Sequence, residues 1–380
     1  MKKILVIHTN YQNLGGEDIA VSNETSLLER HFDIKTLIFS NNKTINFRQL
    51  RSFFSSENKD SKNLLHEAID EFQPDYAYVH NTWFSGSLSI FKVLINANIP
   101  ILLKLHNFRY YCTRTFFRRT HLQGKKSCEA CGMEKNINLF NKYFEDSYIK
   151  SFFVIIYGKK YFKLLKKNKI KLLVLTKFHK NFISSLGIDS NKVKILPNYL
   201  NTDFIVEKSK PNNSIVYAGR ISKEKGVEEL ITSFLKSNLL NIDLKVIGEG
   251  PLLSFLRDKY KQKNIKFSGE LSNKDTLKAI KNARAVITCT KLFENQPTLL
   301  CEASSLGVPS IFPKRGGIEE FFPQSYDLMF EPDNYEDLIS KLKIIENTKI
   351  LKKIGTKNQQ FIKKLIDEEK IINNLGKVFQ

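Results

Sequence analysis

Two cationic side chains, Arg220 and Lys225, stand in "YAGRISKEKGVEELITSF" (217–234), where an apolar run ends at Gly219 and a helical pattern begins near Glu224. Arginine offers a planar bidentate fork and lysine a mobile point charge, and both suit phosphate oxygens. The amino terminus of the following helix would favour an anion too. Further on, "LFENQPTLLCEASSLG" (292–307) carries two carboxylates, Glu294 and Glu302. Glu294 falls in a loop and Glu302 well inside a helix. At ~1.5 Å per residue they would lie roughly 10–12 Å apart, and closer if the loop folds back. That separation suits the two ends of one ligand better than a shared proton. Taken singly, the pair also reads as a capping carboxylate plus a helix charge, and the basic loop as solvated surface.

Glycines mark two further turns. In "VIGEGPLLSFL" (246–256), Gly248 and Gly250 bracket a strand-to-helix turn, with Pro251 suited to the first helical position. Glycines there let a ligand approach the backbone closely, although a plain tight turn uses the same residues. Near the start, "HTNYQNLGGEDIAVSNE" (8–24) sets Gly15 and Gly16 between a strand and a helix. The N–H groups of such a loop can cradle an anion or a sugar.

The elements that must hold these residues alternate from end to end. Strand-like runs are "ILVIH" (4–8), "IKTLIF" (34–39), "YAYVH" (76–80), "ILLKLH" (101–106), "KLLVLT" (171–176) and "VKIL" (193–196). A second series comprises "SIVYAG" (214–219), "LKVIG" (244–248), "IKFSG" (265–269), "AVITC" (285–289) and "PSIF" (309–312). Amphipathic stretches such as 224–237 and 273–283 separate them. The pattern predicts an α/β chain with two doubly wound parallel sheets, each covered by helices. Open sheets of this kind bind ligands at the carboxyl ends of their strands, where the Arg220 loop sits. The Asn-, Pro- and Lys-rich stretch 196–214 is the expected boundary. Domains are therefore expected at 1–197 and 198–360, with a C-terminal helix over 361–380 packing back on the first. Residues 107–150 lack the rhythm and read as a Cys-containing insertion.

Length and charge agree with this frame. A chain of 380 residues is long enough for two cores. The apolar run at the start is too short for a signal peptide, and no stretch reaches the ~20 apolar residues of a membrane span. A soluble cytoplasmic protein is expected. Five cysteines, an odd number, argue against a disulfide framework. The net charge of +21 fits a lysine-rich solvated surface, an anionic membrane, nucleic acid or a phosphorylated substrate. No recognition-helix motif supports nucleic acid, and that reading leaves the cationic loop unexplained. The helix expected over 149–171 mixes aromatics with Lys159, Lys160, Lys166 and Lys167. It fits either core packing or contact with anionic lipid.

In combination, "GRISKEKGVEELI", "VIGEGP" and "ENQPTLLCEASSLGVPSI", in this order and spacing, closely resemble the retaining nucleotide-sugar glycosyltransferases of family four (group 1). "LGGEDIA", "HNTW", "HNFRYYC" and "KILPN" extend the similarity over the first half. The resemblance implies a GT-B fold, with two Rossmann-like domains facing across a cleft, the second holding a nucleotide sugar and the first an acceptor. Arg220 and Lys225 would grip the diphosphate, with Gly248 and Gly250 at the donor. Glu302 would accept hydrogen bonds from the ribose hydroxyls. Glu294 would meet the donor sugar, either as nucleophile or beside a front-face attack. The segment Gln296, Pro297, Thr298 and Leu299 would hold sugar hydroxyls and phosphate. Gly15 and Gly16 would pass close to the phosphate or acceptor, and His106 matches an active-site histidine near the sugar.

The partners so implied are a nucleotide diphosphate sugar, a lipid-linked or polysaccharide acceptor of cell-surface glycan synthesis and an anionic membrane, with no nucleic acid. The enzyme would lie on the inner face of a bacterial cell membrane. No Asp-x-Asp motif stands where a metal-dependent transferase needs one, so no metal cofactor is expected. The insertion resembles one in a bacterial subset that carries several cysteines. Here Cys112, Cys128 and Cys131 are present, but Ser147 stands where a later cysteine is expected. With His121 or His106 the three thiols could form a zinc site, or they could be reduced structural cysteines. A nucleotide-sugar epimerase of the same fold and a non-catalytic basic binding protein are the alternatives. Retention of Arg220, Lys225, Glu294 and Glu302 counts against the latter.

Overall fold

In a computed structural model of the chain, the described residues are 1–10, 15–41, 56–108, 110, 148–201 and 212–379. They divide into two compact units. The first runs to Leu200 and takes back the C-terminal stretch from Asp367, and the second comprises Asn201–Ile366.

The first unit contains β1 (Lys3–Asn10), α1 (Gly16–Leu28), β2 (Asp33–Ser40), α2 (Lys59–Phe72), β3 (Tyr76–Val79) and α3 (Ser89–Asn96). It continues with β4 (Ile101–Leu105), α4 (Tyr148–Leu165), β5 (Ile170–Val174), α5 (Lys177–Ser185) and β6 (Val193–Ile195). The strands form one parallel sheet in the order β2-β1-β3-β4-β5-β6. Ile4 to Ile7 and Ile101 to Leu105 are buried throughout, as strands covered on both faces must be. Side-chain caps start several helices: Asn58 accepts from the Asp60 and Ser61 amides, and Thr176 from that of His179. The last helix, α12 (Glu368–Val378), lies in this unit, and Phe379 is fully buried against Tyr76 and Phe32. The Phe379 carbonyl accepts from Lys2 Nζ at 2.8 Å and from the Tyr76 hydroxyl.

The second unit contains β7 (Ser214–Ala218), α6 (Val227–Lys236), β8 (Asp243–Ile247), α7 (Leu253–Lys259), β9 (Ile265–Gly269) and α8 (Asn273–Lys281). After these come β10 (Ala285–Ile287), α9 (Thr298–Ser305), β11 (Ser310–Pro313), β12 (Met329–Phe330), α10 (Tyr335–Ile344) and α11 (Thr348–Leu365). Its sheet is also parallel, ordered β12-β11-β10-β7-β8-β9. Counted within the unit this is the 3-2-1-4-5-6 order reversed, the doubly wound arrangement of dinucleotide-binding sheets. The two neighbours at which the winding changes direction are β7 and β10. Here the Arg220 loop follows β7 and the Glu294 loop follows β10, so both emerge at the carboxyl side of the switch point.

Every expected apolar run forms a strand, and the two-residue β12 adds an edge partner to β11. Two details differ. The helix after the cationic loop begins at Val227 and not near Glu224, because Lys223–Lys225 form a 3-10 turn and Gly226 takes a left-handed conformation (φ +66°). A Cβ on Gly226 would overlap the Cys289 carbonyl, which makes any other residue there costly. Pro251 precedes α7 in a turn and is not its first residue.

Candidate active site

In the second unit the structure joins two residues far apart in sequence. Lys225 Nζ lies 2.5 Å from Glu294 Oε1, each side chain 28% exposed. The Thr290 hydroxyl donates to the same oxygen at 3.0 Å, and the Leu292 amide donates to Thr290 Oγ1 at 3.2 Å. The Glu294 backbone pairs in register with Gly316, and the Gly317 amide donates to the Glu294 carbonyl at 2.8 Å. Glu294 thus belongs to an extended segment and not to the helix that follows. The spacing estimate for an unbroken helix does not describe this pair.

The rest of the cationic loop is held from behind. The Tyr217 hydroxyl donates to the Arg220 carbonyl at 2.8 Å, and burial pushes that phenol above its ordinary range. The Arg220 side chain is exposed. The Ile221 amide donates to the Glu249 carbonyl at 2.8 Å, and the Leu252 amide to the Ile221 carbonyl at 3.1 Å. Gly248 and Gly250 have positive φ, and a Cβ on them would overlap the backbone of Gly219 and Ile221 respectively. Both glycines therefore have a packing reason: they let the loop after β8 lie against the one after β7.

Pro297 caps α9, with Thr298 and Leu299 opening the helix and Gln296 buried just before it. Glu302 sits on α9 at 7% exposure. Burial pushes its carboxyl up to about 7, and among the described residues no hydrogen bond or ion pair offsets this. A carboxyl so placed gains by meeting a donor from outside the chain.

The first unit carries a second cluster at the carboxyl ends of β1, β3 and β4. Gly15 precedes α1, and its amide donates to Asp18 Oδ2 at 2.8 Å. The other Asp18 oxygen meets His8 Nε2 at 2.9 Å, so His8 donates from Nε2. Gly15 has φ −124° and room for a Cβ, so the backbone alone does not demand glycine there. His80 Nδ1 and His106 Nε2 are 3.0 Å apart, and burial above all pushes both imidazoles well below their usual range, so both are neutral. His106 lines a small cavity with Glu17, Asn107, Trp83 and Lys104. Asn107 Nδ2 donates to Glu17 Oε2 at 3.1 Å. Beneath them Lys104 and Glu24 form an ion pair with no exposed surface, and the Tyr78 hydroxyl donates to Glu24 Oε2 at 3.1 Å.

Sequence reasoning passed over Thr290, Gly316, His80 and the Lys104–Glu24 pair. The lone lysine inside the apolar "ILLKL" and the glycine pair in "KRGG" were the signals that could have found two of them. Cys112, Cys128, Cys131 and His121 lie outside the described residues. Among the described residues, no group of three or more His, Cys, Asp or Glu side chains is placed to hold a metal ion.

Known proteins match this architecture. An uncharacterised glycosyltransferase of Methanocaldococcus jannaschii is 24% identical over 252 residues, 62% of this chain and 64% of that one. The chain thus spans less than two thirds of that curated relative's length. Sucrose-phosphate synthase of Thermosynechococcus elongatus has the same fold, with TM-score 0.72 and 12% identity over 100% of this chain and 98% of that one. HepE of Anabaena, in complex with UDP and glucose, superposes with TM-score 0.67 and 14% identity, covering 100% and 99%. The chain therefore has the two-domain Rossmann-like GT-B fold, and its residues 200–366, which hold the Lys225–Glu294 pair, match the family of glycosyl transferases group 1.

Proposed function

We propose that the chain is a glycosyltransferase that moves a sugar from a nucleotide diphosphate donor to a glycan acceptor. The observation that carries this reading is the Lys225–Glu294 contact at the switch point between β7 and β10, inside the matched span. A cation beside a carboxylate at that place serves a ligand with a phosphate next to a polyhydroxyl ring. Lys225, Arg220 and the amino end of α6 face the diphosphate, Glu294 and the Gln296–Leu299 segment the sugar, and Glu302 the ribose.

In the reaction the bond from the anomeric carbon to the leaving phosphate oxygen breaks and one from the acceptor oxygen to that carbon forms. The acceptor proton passes to the departing phosphate. Charge grows negative on the diphosphate and positive on the sugar, so fixed cations at the former and a carboxylate near the latter lower the barrier. Transfer proceeds with retention and without a metal cofactor in this reading. Neutral His106, held by His80, and the Gly15–Gly16 turn are the residues of the first unit assigned to the reaction in this reading.

The acceptor in this reading is a lipid-linked or polysaccharide chain of a bacterial surface glycan. Lys159, Lys160, Lys163, Lys166 and Lys167 are exposed on and after α4, while Tyr157 and Tyr161 are buried against Trp83. That cationic face draws the enzyme to anionic lipid. None of the described helices is long and apolar enough to cross a membrane. Salt-sensitive binding to anionic vesicles should weaken when Lys159, Lys160, Lys166 and Lys167 become Glu; unchanged binding refutes the membrane assignment.

The direct test measures nucleoside diphosphate release across a panel of nucleotide sugars with lipid and oligosaccharide acceptors, for the wild type and Lys225→Ala. Release by the wild type and a loss of roughly 100-fold in Lys225→Ala is expected, in the range seen when one transition-state donor is removed. No release with any donor rejects the function.

A further inference from the structure

Resting on that reading, we infer that Arg315 is a positioning residue for Glu294: its guanidinium braces the loop that presents the carboxylate to the donor sugar. The loop between β10 and α9 has few backbone hydrogen bonds of its own, so its shape must come from neighbouring segments. The Lys291 amide donates to the Glu224 carbonyl at 2.9 Å, which ties it to the cationic loop. Lys291 Nζ adds a 2.5 Å contact to Glu229 on α6. From the opposite side Arg315 Nη1 donates to the Lys291 carbonyl at 2.8 Å, and its Nη2 to Asp333 Oδ2 at 2.5 Å.

Only 10% of the Arg315 side chain is exposed, whereas Asp333 is 60% exposed. Burying a guanidinium is costly, and one surface carboxylate is a weak return for it. Its second arm explains the placement. It fixes a carbonyl three residues before Glu294, and the next two residues, Gly316 and Gly317, pair with Glu294 directly. Gly316 is left-handed (φ +71°), and a Cβ on it would overlap the Glu294 backbone. One short segment, 315–317, therefore sets the position and direction of the Glu294 backbone. A rigid planar fork presents a separate nitrogen to the carbonyl and to Asp333, whereas an ammonium must serve both from one nitrogen on a flexible stem.

The test measures kcat and donor KM for Arg315→Ala and Arg315→Lys, with melting temperature, using the donor that the wild type turns over. A carboxylate displaced by about 1 Å costs on the order of 100-fold in rate. Arg315→Ala should lose roughly 10- to 100-fold in kcat with donor KM within about threefold, and millimolar methylguanidinium should restore part of it. Arg315→Lys fills the space and keeps the charge. It should show the same split without rescue and guards against a fold failure in the alanine variant. A wild-type kcat in Arg315→Lys, or a loss in Arg315→Ala that methylguanidinium leaves untouched, overturns the brace while the wild type still releases product. A wild type that turns over no donor instead rejects the function, and the brace with it.

Discussion

Replacing Glu302 by Gln separates the energetics of the buried carboxyl from its chemistry. Burial pushes this carboxyl from 4.5 up to about 7, and among the described residues no partner offsets it. A raised carboxyl keeps its proton in the folded state after the unfolded chain has released it. This group therefore costs nothing below pH 4.5 and destabilises increasingly as pH rises towards 7, with the penalty complete above. At about 1.4 kcal/mol for each tenfold, the displacement amounts to about 3 kcal/mol. At 7% exposure, solvent screening removes little of it. Gln cannot ionise, so the Gln variant should gain on the wild type by up to about 3 kcal/mol between pH 5 and pH 8. Any fixed cost of burying the amide cancels in that pH difference. The assay is urea unfolding of both proteins at four pH values, followed by the fluorescence of a probe on the second unit. A stability difference that does not change with pH, or that moves the other way, refutes the argument. Adding nucleoside diphosphate extends the test. If ribose hydroxyls donate to Glu302, ligand should stabilise the wild type increasingly as pH rises through 7, and the Gln variant equally at every pH.

Other parts of both units give sharper mutational outcomes. Gly226→Ala should destabilise the second unit by roughly 2–4 kcal/mol, since it adds left-handed strain to an overlap with the Cys289 carbonyl, and calorimetry reads this directly. Lys104→Met leaves Glu24 buried without its cation and should cost about 3–5 kcal/mol. The double variant Lys104→Met, Glu24→Leu should recover most of that, keeping about 1 kcal/mol for the orphaned Tyr78 hydroxyl. Equal losses in the single and double variants would show that the pair is not coupled. His80→Phe keeps an aromatic ring but removes one hydrogen-bond partner of His106. It should lower turnover with little change in melting temperature, which kinetics beside thermal unfolding would reveal.

Much of this was legible because parallel strands buried on both faces are nearly pure apolar runs. "ILVIH" and "ILLKL" announce themselves, and in the second unit Gly219, Gly248 and Gly269 at strand ends mark where the chain turns. The two-residue β12 has no period to read. The helical pattern places the start of α6 near Glu224, but Gly226 acts as the hinge between a 3-10 turn and the helix, a choice dictated by the distant Cys289 carbonyl. Glu294 and Lys225 could each be picked out by type and loop position. Their contact could not be, since it depends on β7 and β10 being neighbours although β8 and β9 intervene in sequence. The same holds for Arg315, whose partner carbonyl belongs to a residue with no chemical signature.

That contact changes what the two glutamates mean. Read along the sequence, they mark opposite ends of a ligand, with the cationic loop a third station. In the fold Glu294 touches the lysine assigned to the phosphate, so in the proposed function the sugar and phosphate subsites would share a boundary and Glu302 alone would keep the far end. Lys225 and Glu294 neutralise each other at partial exposure, a pairing of low net worth because water competes for both. A diphosphate offers Lys225 more negative charge than one carboxylate does and should take it over. Glu294 is then left to accept from the sugar hydroxyls, with Thr290 still holding one oxygen. A nucleoside diphosphate without its sugar would free the carboxylate and give it nothing in return. The intact donor should thus gain over the free diphosphate in the wild type, and Glu294→Gln, which has no charge to strand, should narrow that gap. Equal ratios of donor to diphosphate affinity in the two proteins would mean that the ion pair does not stand between the subsites.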